Sequence, residues 1–174
     1  RLLRRPQRLP VPPLAATCGP RAQRKTRHMT SSDPFPSSRH LMQLGAALLL
    51  LGLVTGLVVP LAMLPRMALA SHLEGVFNGM LLIVFGLIWE RLALGPRQRL
   101  ATFWLVVYAA FANWLATLVS AFTGAAAMMP LAGGGSAGAA PVELFVTALL
   151  LSLSLAIIVG VGFVIYGLRA TRAV

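Results

Sequence analysis

The sequence predicts an all-α integral membrane protein, a four-helix bundle with both termini in the cytoplasm. Three observations predict it. Of 174 residues, 57% are hydrophobic and only 11% charged; the mean hydropathy is +0.80; and four separate apolar stretches are each long enough for one crossing of a hydrocarbon core. No soluble core needs that much apolar sequence. Backbone groups within lipid must bond inside their own segment, so each stretch reads as a helix.

In chain order, residues 1–40 form a basic, Pro- and Arg-rich leader. Eight of the fifteen Lys and Arg lie within its first 28 residues, where no acidic residue occurs. It reads either as an untranslated stretch ahead of a start at Met29 or as a disordered basic arm on anionic lipid. The formal charge of +11 therefore belongs mostly to the leader, and residues 29–174 hold seven basic and four acidic residues. That is not the footprint of a nucleic-acid partner. The only cysteine, Cys18, is also in the leader, so the membrane part has neither a disulfide nor a thiolate metal site.

The membrane domain spans residues 41–170, with helices expected at about 41–63, 68–89, 100–122 and 144–168. Lys and Arg near the span ends set the orientation. Arg39, Arg91, Arg97, Arg99, Arg169 and Arg172 fall on one side and Arg66 alone on the other, which puts both termini inside. The outer connection, "AAAMMPLAGGGSAGAAPVE", lacks the lysine and strand-to-helix setting of a phosphate loop. It reads as a flexible cover or as a plain linker. Glu90, beside Arg91, and Glu143 read as anchors at the two membrane edges.

The second span carries "SHLEGVFNGM", in which His72, Glu74 and Asn78 are costly to hold in hydrocarbon without partners or a role. His72 shares a helical face with Gly75 and Gly79. A flat ring could lie on that bare stripe beneath the imidazole; ordinary helix packing, with the histidine bonded to a backbone carbonyl, accounts for the same residues. Gly52 and Gly56 form a matching small-residue pair in the first span.

Counting helical rise puts Asn78 and Asn113 at similar depths on neighbouring spans. Glu74 and Thr117 lie one turn outward on the same faces, and Ser120 extends the stripe. The two helices are therefore expected to face each other with a carboxylate, two amides, a hydroxyl and a nearby imidazole. Glu74 has no Lys or Arg in its helix, which makes it a candidate acid or base. With His72 the only intramembrane histidine, a single axial haem ligand, or a proton path through Glu74 and His72, fits these residues. Trp104, Phe111 and Trp114 suit an aromatic substrate, or plain bundle packing.

"SHLEGVFNGMLLIVFGLIW", "ATFWLVVYAAFANWLATLVSAF", "MMPLAGGG" and "LLLSLSLAI" resemble the hydroxylaminobenzene mutases, over about residues 41–170. More distantly, His72 followed by Asn78-Gly79-Met80, and later Ala112-Asn113, resemble the styrene oxide isomerases, four-span membrane enzymes that form trimers with haem b between subunits. The resemblance implies a bacterial inner-membrane isomerase that converts hydroxylaminobenzene to 2-aminophenol in nitroarene breakdown. It implies His72 as axial ligand of haem b, and the glycine face of Gly75 and Gly79 read above would then lie beside the ring. It implies Asn78 as the donor that holds the substrate oxygen; Glu74, Asn113 and Thr117 are catalytic candidates from the depth and face reading above. Where styrene oxide isomerases carry an aspartate and a tyrosine around the second asparagine, this chain has Ala109 and Thr117, so those two roles do not transfer. An epoxide isomerase and a small proton-coupled carrier are the alternative readings.

Overall fold

The computed structural model describes residues 38–170; residues 1–37 of the leader, with Cys18, His28 and Met29, and Arg172 at the other end, lie outside the described residues. Four helices are long and apolar enough to cross a membrane: Ser38–Leu61, Pro65–Arg91, Pro96–Thr123 and Ala140–Arg169. The last three run past the expected stretches at both ends, whereas the first begins three residues early and stops at Leu61 rather than 63. The elements are α1 (Ser38–Val58), α2 (Pro65–Ile88), α3 (Pro96–Thr123), the short α4 (Pro130–Gly133) and α5 (Ala140–Ala170). No strand occurs among the described residues.

Local sequence explains the ends. Proline opens α2 and α3 at the first turn, where its missing N–H has no intrahelical partner to lose. Gly124 closes α3 in the left-handed region at φ 72°, its N–H bonded to the Ser120 carbonyl.

Neighbours in sequence are neighbours in space. Helix α1 packs along α2, α2 along α3, and α3 along α5, leaving α1 and α5 at the two edges. The α1–α2 contact is the tightest. A Cβ on Gly52 would lie 2.6 Å from the Val76 backbone nitrogen, and one on Gly79 would lie 2.6 Å from that of Leu49. Small residues let the two backbones meet, as membrane helices do without a hydrophobic driving force.

The arginines sort by end. The first turn of α1 meets Gly86 near the end of α2, and the Ala93 N–H bonds to the Gly167 carbonyl of α5 at 3.1 Å. This brings Arg39, Arg91, Arg97, Arg99 and Arg169 to one end and leaves Arg66 at the other. Arg99 ties the α2–α3 turn: its guanidinium donates to the Trp89 and Leu92 carbonyls and pairs with Glu90 at 3.7 Å. Glu90 is thus part of a turn lock.

At the opposite end the connection from α3 to α5 is built rather than slack. The Glu143 carboxylate accepts the N–H groups of Gly138 (2.8 Å) and Ala127 (3.2 Å), and the Ser136 hydroxyl donates to the Gly124 carbonyl. Residues Met129 and Ala132 flank a small core of Ala62, Met67, Ala68, Ala121 and Ala126 beside the start of α2 and the end of α3.

Candidate active site

Glu74, Asn78 and Asn113 come together between α2 and α3. The Glu74 Oε2 accepts the Asn78 amide of its own helix at 3.1 Å and the Asn113 amide of α3 at 2.5 Å. The first bond follows from i, i+4 spacing, the second from the depth match of two antiparallel spans. All three side chains are partly buried. They sit in mid-span, so their remaining exposure faces sideways. Among the described residues, Oε1 of Glu74 and the carbonyl oxygens of both amides have no hydrogen-bond partner.

A clasp one turn toward the Arg66 end fixes the register of these helices. The Trp114 indole N–H donates to the Thr55 hydroxyl of α1 at 3.1 Å, while the Trp114 carbonyl accepts the Ser71 hydroxyl of α2 at 3.1 Å. Three helices meet at one residue, next to Asn113. Ser71 and Thr55 were not singled out in the sequence. Ser71 carries a readable signal, a small polar residue one turn before Gly75 on the same face.

Three expectations change. Thr117 is buried with its hydroxyl turned back on α3, donating to the Asn113 and Trp114 carbonyls at 3.0 Å, so it offers nothing to Glu74. A hydroxyl in a helix has such a carbonyl within reach and takes it. Ser120 does the same toward Ala116. Gly75 and Gly79 are not a bare stripe, because α1 fills it: a Cβ on Gly75 would lie 2.5 Å from the Gly52 Cα. No ring can lie there. Finally, His72 does not join the cluster. Its Nδ1 lies 2.8 Å from the Gly52 carbonyl of α1, with the ring over Gly56. Two residues along a helix is more than half a turn, so His72 faces the α1 flank of α2 and Glu74 the α3 flank.

The aromatic residues spread out. Trp104 lies 59% exposed on the lateral surface, and Phe111 packs against the central core of Leu82, Phe85 and Val106. Tyr108 reaches α5, its hydroxyl 2.6 Å from that of Ser152. No group of three His, Cys, Asp or Glu side chains with metal-holding geometry occurs among the described residues.

The chain is similar to known proteins over most of its length. Hydroxylaminobenzene mutase HabB of Ectopseudomonas oleovorans is 48% identical over 149 residues, covering 85% of this chain and 90% of that protein. Hydroxylaminobenzene mutase HabA of the same organism is 48% identical over 115 residues, covering 66% of this chain and 85% of its own length. No solved structure matches the chain. The styrene oxide isomerase family model matches residues 37–169, and the chain belongs to that family.

Proposed function

We propose that this multi-pass membrane isomerase converts hydroxylaminobenzene to 2-aminophenol, moving the hydroxyl from nitrogen to the ortho ring carbon. The observation that carries the reading is the mid-membrane Glu74 carboxylate held by two amides, in a chain so similar to a hydroxylaminobenzene mutase. In the reaction the N–O bond breaks and a C–O bond forms. The ortho carbon loses a proton, and a proton is added at nitrogen. Atoms and electrons balance without an oxidant or reductant.

Each proton movement suits a positioned carboxylate. Oε2 of Glu74 is occupied by the amides, so Oε1 takes the ortho proton and returns one to nitrogen. Asn78 and Asn113 fix the plane of the carboxylate and orient the hydroxylamino group. The ring lies among apolar side chains such as Phe77 and Leu81, one turn from Glu74 and Asn78 respectively.

Haem b is the cofactor the resemblance implies, and His72 is the residue that would hold its iron. With Nδ1–H donated to the Gly52 carbonyl, the imidazole keeps its Nε2 lone pair for a metal, the usual outer-shell arrangement of a ligating histidine. Gly75 and Gly79 have no part in holding it. Bound there, the iron would supply a Lewis acid for the N–O group. Since His72 and Glu74 occupy opposite flanks of α2, both can address one substrate only across two copies of the chain. The reading therefore includes a homo-oligomer, the trimer of the resemblance. The arginine-rich end supports both termini on the cytoplasmic side of a bacterial inner membrane.

The test is conversion of hydroxylaminobenzene by the detergent-purified protein in water enriched in heavy oxygen. The reading expects 2-aminophenol whose hydroxyl keeps the substrate's own oxygen. Solvent oxygen in the product, or no 2-aminophenol, contradicts it.

A further inference from the structure

The direction of the hydrogen bonds around Glu74 bears on which substrates the site accepts. An ionised carboxylate only accepts, so each amide that bonds it must present its NH2 group and turn its carbonyl away. Both Asn78 and Asn113 do this, and to the same oxygen. Three oxygens are left for a ligand: Oε1 of Glu74 and the two amide carbonyls. The amides retain one N–H each. Acceptors thus outnumber donors, and the charge lies on the acceptor side. No Lys or Arg lies within α2 between Arg66 and Arg91 or within α3 beyond Arg99, so no basic side chain of these two helices offsets it at that depth.

We propose that Glu74 is the specificity-determining residue of this site, selecting small aromatic compounds that bring their own N–H or O–H donors and rejecting acceptor-only compounds such as epoxides. The inference rests on the mutase reading for the ionised form of Glu74. Hydroxylaminobenzene brings one N–H and one O–H, and 2-aminophenol brings three such hydrogens, so substrate and product both satisfy the site. An epoxide brings only an oxygen, which would leave Oε1 and two carbonyls without partners in a poorly hydrated place. The family's two chemistries are thereby separated by hydrogen-bond polarity within one fold.

The test is binding, read by titration calorimetry on the full-length purified protein and therefore independent of turnover. N-methylaniline and anisole have the same size and shape, but the first has an N–H donor and the second has none; benzyl alcohol and styrene oxide form a second pair. In the wild type, N-methylaniline and benzyl alcohol should each bind at least about tenfold more tightly than anisole and styrene oxide. In Glu74→Gln, whose side chain supplies donors at the same place, that preference should fall to within about threefold. Equal affinities in the wild type, or an undiminished preference in Glu74→Gln, would overturn the proposal. Failure to form 2-aminophenol from hydroxylaminobenzene would instead overturn the mutase reading, and the two failures are measured separately.

Discussion

Glu74 of α2 accepts the side-chain amide of Asn113 from α3 at 2.5 Å, a hydrogen bond that ties two spans together in mid-span. Interhelical hydrogen bonds in membranes contribute on average only about 0.6 kcal/mol, and up to about 2. Stability alone is a weak reason to keep a carboxylate there. Asn113→Leu should accordingly cost at most about 2 kcal/mol in a denaturant unfolding series in detergent, while turnover of hydroxylaminobenzene falls at least about tenfold. Wild-type turnover in that variant would remove Asn113 from the site.

The α1–α2 contact makes a contrast between two glycines. Gly75→Ala puts a methyl 2.5 Å from the Gly52 Cα and 3.0 Å from the Trp114 ring, and should destabilise the fold by about 1–3 kcal/mol. Around Gly162 in α5 nothing lies within 4 Å of an added Cβ. Gly162→Ala should be neutral or stabilising by up to about 1 kcal/mol. Thermal unfolding of the two variants in one detergent checks both.

Glu143 organises the outer connection through the N–H groups of Ala127 and Gly138. Glu143→Ala leaves those donors to find water and should loosen residues 124–139 by about 1–3 kcal/mol. Limited proteolysis in detergent should then cut this segment well before the helices. An unchanged digestion pattern would show that Ser136 and the small outer core hold the segment by themselves.

His72→Ala should leave a folded four-span protein, because the α1–α2 contact rests on glycine backbones rather than on the imidazole. If His72 ligates haem, the purified variant loses the haem absorption band of the wild type together with turnover. A variant that retains both assigns the iron elsewhere.

The spans were legible because crossing a membrane is a matter of length and composition, which need no tertiary knowledge. The Glu74, Asn78 and Asn113 assembly was legible too, from i, i+4 spacing and from depths in antiparallel helices. What misled was grouping residues by depth without azimuth: His72 stands level with Glu74, yet helical phase sends it to the other side of α2. Thr117 shares the face of Asn113, but its hydroxyl has a nearer carbonyl. The glycine stripe looked open because small residues are equally suited to a ring or to another helix, and only the partner's position decides. Glu143 looked like an edge anchor since the turn it clasps closes from residues 5 and 16 positions away.

The central claim, that Glu74 moves the protons of an intramolecular hydroxyl transfer, is tested most directly by turnover of hydroxylaminobenzene by Glu74→Gln. Gln preserves the size of the side chain and can still bond both amides, so the fold should persist. The account predicts that 2-aminophenol formation falls by about a hundredfold or more, with four-span helicity intact. Formation at the wild-type rate would contradict it.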